Sequence, residues 1–169
     1  KAGDEFYHHP ARSLAGHLMR DECSQAADDL RWATGEQTFD GQLQWFLDRC
    51  LPALPRLAAL LQQCSQLADK LPAEQAEFFR DFLLFQARLH HSGCHGLALL
   101  CLGIQAHRSG QHPKAFVRVS QAMWAYQETL TAMRESEHGK WRNFFSADWL
   151  TNVQSTLYSL DALRKYIRM

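Results

Sequence analysis

The chain has 169 residues, of which 46% are hydrophobic and 11% aromatic, and this length and composition fit one globular domain with a sizeable core. Its 18 basic and 18 acidic residues give a formal net charge of zero, which argues against a protein that binds nucleic acid or anionic membranes. No stretch reaches the roughly 20 consecutive apolar residues that a membrane-spanning helix needs.

Helical periodicity runs through the chain, with apolar residues three and four positions apart. The first predicted helix covers residues 11–33 and has this spacing at Ala15, Met19, Cys23, Ala26, Leu30 and Ala33. The second covers residues 43–64, with one register formed by Leu43, Leu47, Cys50, Leu54, Leu57, Leu61 and Cys64. Because Pro52 and Pro55 each remove a backbone hydrogen bond, we expect this helix to be kinked or to restart there.

A third helical run begins after Pro72 with a stripe formed by Phe78, Phe82, Phe85 and Leu89. Residues 92–96, Ser-Gly-Cys-His-Gly, interrupt it, since each glycine costs a helix about 1 kcal/mol relative to alanine. Either the helix breaks there, or another helix approaches so closely that only glycine fits. Because a helical spacing resumes at Leu97, we expect the helix to continue.

The last two predicted helices have the clearest amphipathic patterns. The fourth begins at Pro113, and its stripe consists of Phe116, Val119, Met123, Tyr126, Leu130 and Met133. The stripe of the fifth consists of Leu150, Val153, Leu157, Leu160, Leu163 and Ile167. Strand signals are nearly absent and the connections are short. The sequence therefore predicts an all-α antiparallel bundle of about five principal helices that forms one domain, residues 1–169.

The cysteines give information on disulfides and on the compartment. The chain contains Cys23, Cys50, Cys64, Cys94 and Cys101. An odd number without a C-x-x-C pair favours neither a disulfide framework nor a zinc ribbon. Unpaired cysteines in apolar helix positions favour a reducing compartment, the cytoplasm. The start at Lys1, without a signal-peptide pattern, suggests a fragment of a longer chain.

Residues of the metal-ligand type cluster at His90, His91, Cys94 and His95. His91 and His95 share one face of a helix, with the spacing that zinc-binding helices use. A metal site needs a third ligand, and no H-E-x-x-H pattern supplies one nearby. We therefore expect a polar helix surface and no metal or other cofactor, with a metal-dependent helical enzyme as an alternative.

The segment from Leu99 to Ala122 resembles a tetratricopeptide repeat. The resemblance lies in small and apolar residues at Leu99, Leu102, Gly103, Ala106, Gly110, His112, Ala115, Val119 and Ala122. Such repeats bury a continuous core only in arrays of about three, and no second copy occurs at the repeat period. A single tight helical hairpin explains the same spacing, and the resemblance implies a peptide-binding module as an alternative function.

Residues 136–149, SEHGKWRNFFSADW, connect the last two predicted helices. Gly139 can end one helix and Ser146 can begin the next. A solvated connection would not need so many large aromatic rings. They can tuck under the end of the bundle, contact a partner, or stack on a sugar. We expect a binding surface formed by Lys140, Trp141, Arg142, Phe144, Phe145 and Trp149.

The C-terminal run EHGKWRNFFSADWLTNVQSTLYSLDALRKYIRM resembles helical segments at the ends of large bacterial glycoside hydrolases and related carbohydrate-processing proteins. The resemblance implies a non-catalytic helical accessory or interaction domain of a carbohydrate-active protein. Its partner would be an adjoining domain, another protein or a carbohydrate. The sequence contains no nucleophile elbow, phosphate-binding glycine loop or dinucleotide fingerprint, which also argues against an enzyme.

Overall fold

The computed structural model describes residues 7–139, 142–145 and 153–168. Helices account for 83% of these residues and strands for none of them, which confirms the predicted all-α fold. The α-helices are α1 (His9–Met19), α2 (Asp28–Thr34), α3 (Phe39–Ala68), α4 (Ala73–Phe79), α5 (Phe85–Arg108), α6 (His112–Glu135) and α7 (Val153–Arg168). A π-helical segment, Arg80–Leu84, joins α4 directly to α5.

Helix α5 lies at the centre of the bundle. It packs against α6 and α3, and α7 packs against α6 and α1. The short connection 109–111 makes α5 and α6 an antiparallel hairpin. One core cluster draws on α1, α2, α3, α5, α6 and α7, and its fully buried members include Leu14, Leu30, Phe39, Phe46, Leu97, Ile104, Tyr126 and Leu163.

The glycines of α5 allow its neighbours to approach closely. A Cβ atom on Gly93 would lie 2.8 Å from Cδ2 of Tyr7, and one on Gly96 would lie 2.7 Å from Cε2 of Tyr126. At Gly103 it would lie 2.9 Å from Cγ2 of Val119. The helix continues through residues 92–96, as expected, and close packing explains why glycine occurs there.

The two prolines lie inside one continuous helix. Helix α3 spans 30 residues and contains both Pro52 and Pro55, so it does not restart as a second helix. The prolines deprive the carbonyl groups of Asp48 and Leu51 of their helical donors. Both of these residues are exposed, and water can therefore satisfy the carbonyl groups.

The single helix expected at 11–33 is divided into α1 and α2. Between them, Asp21 adopts a left-handed backbone conformation with φ of 59°. The buried side chain of Gln42 accepts a hydrogen bond from the Ala27 N–H at 2.8 Å and donates one to the Ala27 carbonyl at 2.9 Å. The side chain of Gln42 thus replaces hydrogen bonds that Ala27 would make in a continuous helix. The apolar periodicity of residues 11–33 gives no sign of this contact.

The buried face of α6 is rotated relative to the predicted stripe. Phe116, Met123 and Leu130 are only partly buried. The buried positions are Ala115, Val119, Ala122, Tyr126, Thr129, Ala132 and Met133. Small side chains occupy the centre of this face because α5 approaches so closely. A stripe predicted from large apolar residues alone therefore leaves out the small residues at the centre of the buried face.

Replacing Gly96 with alanine should lower the free energy of unfolding by about 1–3 kcal/mol, because the new Cβ would overlap the immobile ring of Tyr126. Gly16→Ala in α1 is the matched control, since only the flexible end of Arg20 lies nearby, at 3.0 Å. The control should be neutral or stabilising by up to about 1 kcal/mol. Urea unfolding measures both values, and equal effects would contradict the role of Gly96.

His8 is a buried titratable group in the first described turn. Its side chain is fully buried, and its ring centroid lies 5.1 Å from that of Tyr126. Among the described residues, neither ring nitrogen has a hydrogen-bond partner. Burial, together with the nearby charge of Arg12, lowers the pKa of His8 from 6.5 to about 3. The ring is therefore neutral in the folded protein at neutral pH.

The free energy of unfolding should fall as the pH drops from 6.5 towards 3, because unfolded His8 takes up a proton that the folded protein excludes. This group contributes a slope of about 1.4 kcal/mol per pH unit in the middle of that range. Urea unfolding at several pH values measures the slope. His8→Phe should remove this contribution, and an unchanged slope in the variant would assign the acid sensitivity to other groups.

Candidate functional site

Residues 51–84, which we call the arm, comprise the second half of α3, α4 and the π-helical segment. Beyond Cys50, α3 buries only Ala68, α4 buries only Ala76, and the π-helical segment buries no residue. Large apolar side chains on the arm are instead 44–64% exposed: Leu51, Leu60, Leu67, Phe78, Phe82 and Leu83. The arm is therefore the part of the described chain where apolar surface is concentrated outside the core.

A groove of about 460 Å³ runs between the second half of α3 and the helical run formed by the end of α4, the π-helical segment and the start of α5. Its α3 wall is formed by Leu57, Leu60, Gln63, Cys64 and Leu67, and its second wall by Phe79, Leu83, Gln86, Ala87 and His90. The spacing of three and four positions places the residues of each wall on one face of a helix. Apolar side chains dominate both walls, and we call this feature the arm groove.

The second half of α3 carries almost no charge. Between Leu51 and Ala68 the only charged residue is Arg56, whereas six positions are leucine. Water-facing sides of helices normally carry charged side chains, which keep them soluble. A leucine-rich helix half with a single charged residue, which the bundle buries only in part, is typical of a surface that another molecule covers.

The π-helical segment changes which aromatic residues are buried. Phe85 and Leu89 pack in a small cluster with Met133 and Val153. Phe78 and Phe82, expected on the same stripe, are exposed, and their ring centroids lie 4.5 Å apart. A π-helical turn contains an additional residue and so rotates the helix face that follows it. The predicted stripe is therefore divided between the core and the surface.

The binding surface predicted after α6 is only partly described. Lys140, Trp141 and Trp149 lie outside the described residues. Arg142 and Phe144 are exposed, whereas Phe145 is partly buried with its ring centroid 5.6 Å from that of Phe85. The Phe145 N–H also donates a hydrogen bond to the carboxylate of Glu137. Phe145 thus tucks under the end of the bundle, the first of the three roles considered for these rings.

A cluster of two carboxylates and one imidazole lies beside this connection. Nε2 of His138 is 3.0 Å from Oδ1 of Asp81, and Nδ1 is 3.6 Å from Oε1 of Glu77. The hydrogen bond to Asp81 and the negative charges of both carboxylates raise the pKa of His138 above its usual value. This cluster is not apparent from the sequence, because His138 and the two acids are distant along the chain. The spacing of Glu77 and Asp81 by one helical turn was the only local signal.

Glu77, Asp81 and His138 are the residues that could hold a metal ion, since one ligand atom from each lies within 4.8 Å of the others. In the described part of the chain, no other such group of three occurs, and His91 and His95 acquire no third ligand. The ring centroids of those two histidines are 6.0 Å apart. An imidazole that pairs with two carboxylates, which raise its pKa, accounts for the cluster without a metal.

Comparisons of the chain with protein families, with curated proteins and with solved structures find no match. None of the helices in the described ranges has the length and hydropathy of a membrane span. All five cysteines are free thiols.

The imidazole of His138 should titrate with a midpoint above 6.5, because Asp81 and Glu77 favour its protonated form. Following its ring-proton NMR signals against pH measures the midpoint. Asp81→Asn should lower it, whereas Glu74→Gln, which removes a carboxylate that lines the same pocket but is not paired with His138 in the described structure, should lower it less. A midpoint that Asp81→Asn does not move would show that the ion pair does not form in solution.

Proposed function

We propose that the chain is a non-catalytic helical interaction domain that binds an amphipathic helix of a protein partner in the arm groove. The observation that carries this proposal is the leucine-rich second half of α3, with Arg56 as its only charged residue, together with the groove beside it. The second half of α3 has a composition close to that of a core helix and the exposure of a surface helix. A partner that covers it resolves this contradiction.

Burying the half-exposed leucine side chains of the groove would be energetically favourable. Full burial of a leucine side chain contributes about 1.5–3 kcal/mol, so each half-exposed leucine leaves roughly 1 kcal/mol unused. Leu60, Leu67 and Leu83 are about half exposed and line the same groove. Several such contributions are the size of the hot spots on which protein interfaces depend.

The shape and charge of the groove favour a helix as its occupant. Two helical walls that face each other across a gap accept a third helix, as in other helix-in-groove complexes. The walls carry no carboxylate or guanidinium group. The outer side of the arm carries Glu74, Glu77 and Asp81, with Arg80 as the only basic residue between Ala73 and Leu84. The preferred partner helix therefore has an apolar face with basic residues at its margins.

The alternative of a tetratricopeptide-like module receives less support. The residues that suggested it lie where α5 packs against α6, and Ala115, Val119 and Ala122 are fully buried there. A single hairpin packed through small side chains accounts for their spacing. The expectation that the domain belongs to a carbohydrate-active protein stays a prediction, which the groove neither requires nor opposes.

A synthetic amphipathic helix of leucine and lysine should bind the protein with a dissociation constant in the micromolar range, as measured by fluorescence anisotropy of the labelled peptide. Leu60→Glu should weaken binding at least tenfold, because it places a charge in the apolar groove. Urea unfolding should change by less than about 1 kcal/mol, since Leu60 does not belong to the core.

Leu51→Glu is the matched control for that variant. Leu51 is 45% exposed and Leu60 47%, and both lie on α3, but Leu51 does not line the groove. A scrambled peptide of the same composition controls for attraction by charge alone. Equal weakening by both substitutions, or equal binding of both peptides, would contradict the proposed site.

A further inference from the structure

We infer that a second cavity on the arm, which we call the acidic pocket, binds an arginine side chain at the margin of the partner helix. This inference rests on the proposed function and deepens it, because it names the contact that fixes the basic margin of the partner. The acidic pocket has a volume of about 320 Å³. Its lining includes three carboxylates, two phenylalanine rings and one imidazole, from Glu74, Glu77, Asp81, Phe78, Phe82 and His138.

The acidic pocket lies beside the arm groove on the same helical run. Phe78 lines the pocket, and the next residue, Phe79, lines the groove. Phe82 and Leu83 are divided between the two cavities in the same way. Because consecutive residues of a helix lie about 100° apart around its axis, the pocket and the groove occupy neighbouring faces. A long side chain at the margin of a helix in the groove therefore lies next to the pocket.

The two rings of the pocket favour a planar cation. Phe78 is 64% and Phe82 44% exposed, with ring centroids 4.5 Å apart and ring planes inclined by 31°. The face of an aromatic ring carries negative potential and attracts a cation within about 6 Å of its centre. A guanidinium group also stacks on such a face and donates paired hydrogen bonds to a carboxylate, whereas the ammonium group of lysine is a point charge. Arginine is therefore the side chain that uses both kinds of group in the pocket.

The pocket is negatively charged in either protonation state of His138. Oδ1 of Asp81 lies 3.0 Å from Nε2 of His138, and Oε1 of Glu77 lies 3.6 Å from Nδ1. Glu74 has no ion-pair partner among the described residues. Because three carboxylates face one imidazole, a protonated ring leaves the pocket with a negative net charge. A cation from outside is therefore attracted over the whole titration of His138.

The nearby arginines of the chain do not neutralise the pocket, because they pair with other acids. Arg80 and Arg88 line a neighbouring cavity. Nη2 of Arg80 lies 3.7 Å from Oδ1 of Asp69. Nη2 of Arg88 lies 2.7 Å from Oε1 of Glu128, and its Nη1 pairs with Glu135. Within the described ranges, no lysine or arginine therefore lines the acidic pocket.

Fluorescence anisotropy with two versions of the synthetic leucine–lysine helix tests this inference. In one version arginine replaces the lysines of one margin, and in the other citrulline, the uncharged analogue of arginine, replaces them. The arginine peptide should bind at least about fivefold more tightly, because cation–π contacts and exposed ion pairs each contribute a factor of about 2–5. Phe82→Leu and Glu77→Gln should each lower this ratio at least about twofold. Trp124→Leu removes a ring that is 72% exposed but does not line the pocket, and it should leave the ratio unchanged.

Ring-proton NMR of His138 gives an independent readout inside the pocket. A guanidinium group beside the imidazole disfavours its protonated form, so a saturating amount of the arginine peptide should lower the titration midpoint of His138. The citrulline peptide should lower it less. His138→Gln identifies the signal, and circular dichroism should show the same helix content in all variants.

Equal binding of the arginine and citrulline peptides would overturn the inference. An arginine preference that persists in both pocket variants, or a His138 midpoint that both peptides shift equally, would overturn it as well. In each of these cases the proposed function still stands if Leu60→Glu weakens binding of the peptides. If none of the peptides binds, both the acidic pocket and the arm groove are contradicted as binding sites for a partner helix.

Discussion

The close approach of α5 to two aromatic rings is the constraint on which the rest of the bundle depends. Tyr126 of α6 packs over Gly96, and Tyr7, just before α1, packs over Gly93. The Tyr126 hydroxyl donates a hydrogen bond to the backbone carbonyl of Tyr7 at 2.9 Å, so the side chain of Tyr126 also holds the backbone at Tyr7. Any side chain on either glycine would separate three parts of the chain, and the core formed by α1, α5 and α6 would lose its packing density.

This packing leaves most of the large apolar side chains of the arm exposed. Apart from Ala68 at its C-terminal end, the fully buried residues of α3 lie in its first half, where Phe39, Leu43 and Phe46 meet the core. Beyond Pro52, Ala53, Leu54 and Leu57 pack against the core but stay only partly buried, and the helix also contacts the π-helical segment. If the arm binds a partner as proposed, stability and binding are assigned to different halves of one helix. Polar substitution in the outer half can therefore change association without unfolding the domain.

The candidate site was only partly predictable, because it depends on a helix irregularity and on residues distant along the chain. Helical periodicity predicted one stripe from Phe78 to Leu89, but the π-helical turn at Arg80–Leu84 divides it between the surface and the core. Likewise, the sequence drew attention to residues 136–149 for their aromatic rings. The structure adds His138 of that segment, which pairs with Asp81 of the π-helical turn at 3.0 Å.

By itself, the sequence determined the all-α class, the continuation of α5 through its glycines and the amphipathic character of α6 and α7. These features depend on local spacing and on steric properties that each residue carries with it. Tertiary structure decided the break between α1 and α2, the face of α6 that is buried, and the exposure of the arm. Each of these depends on what lies opposite a residue in space, such as Gln42 opposite Ala27, and periodicity along one helix contains no information about a distant neighbour.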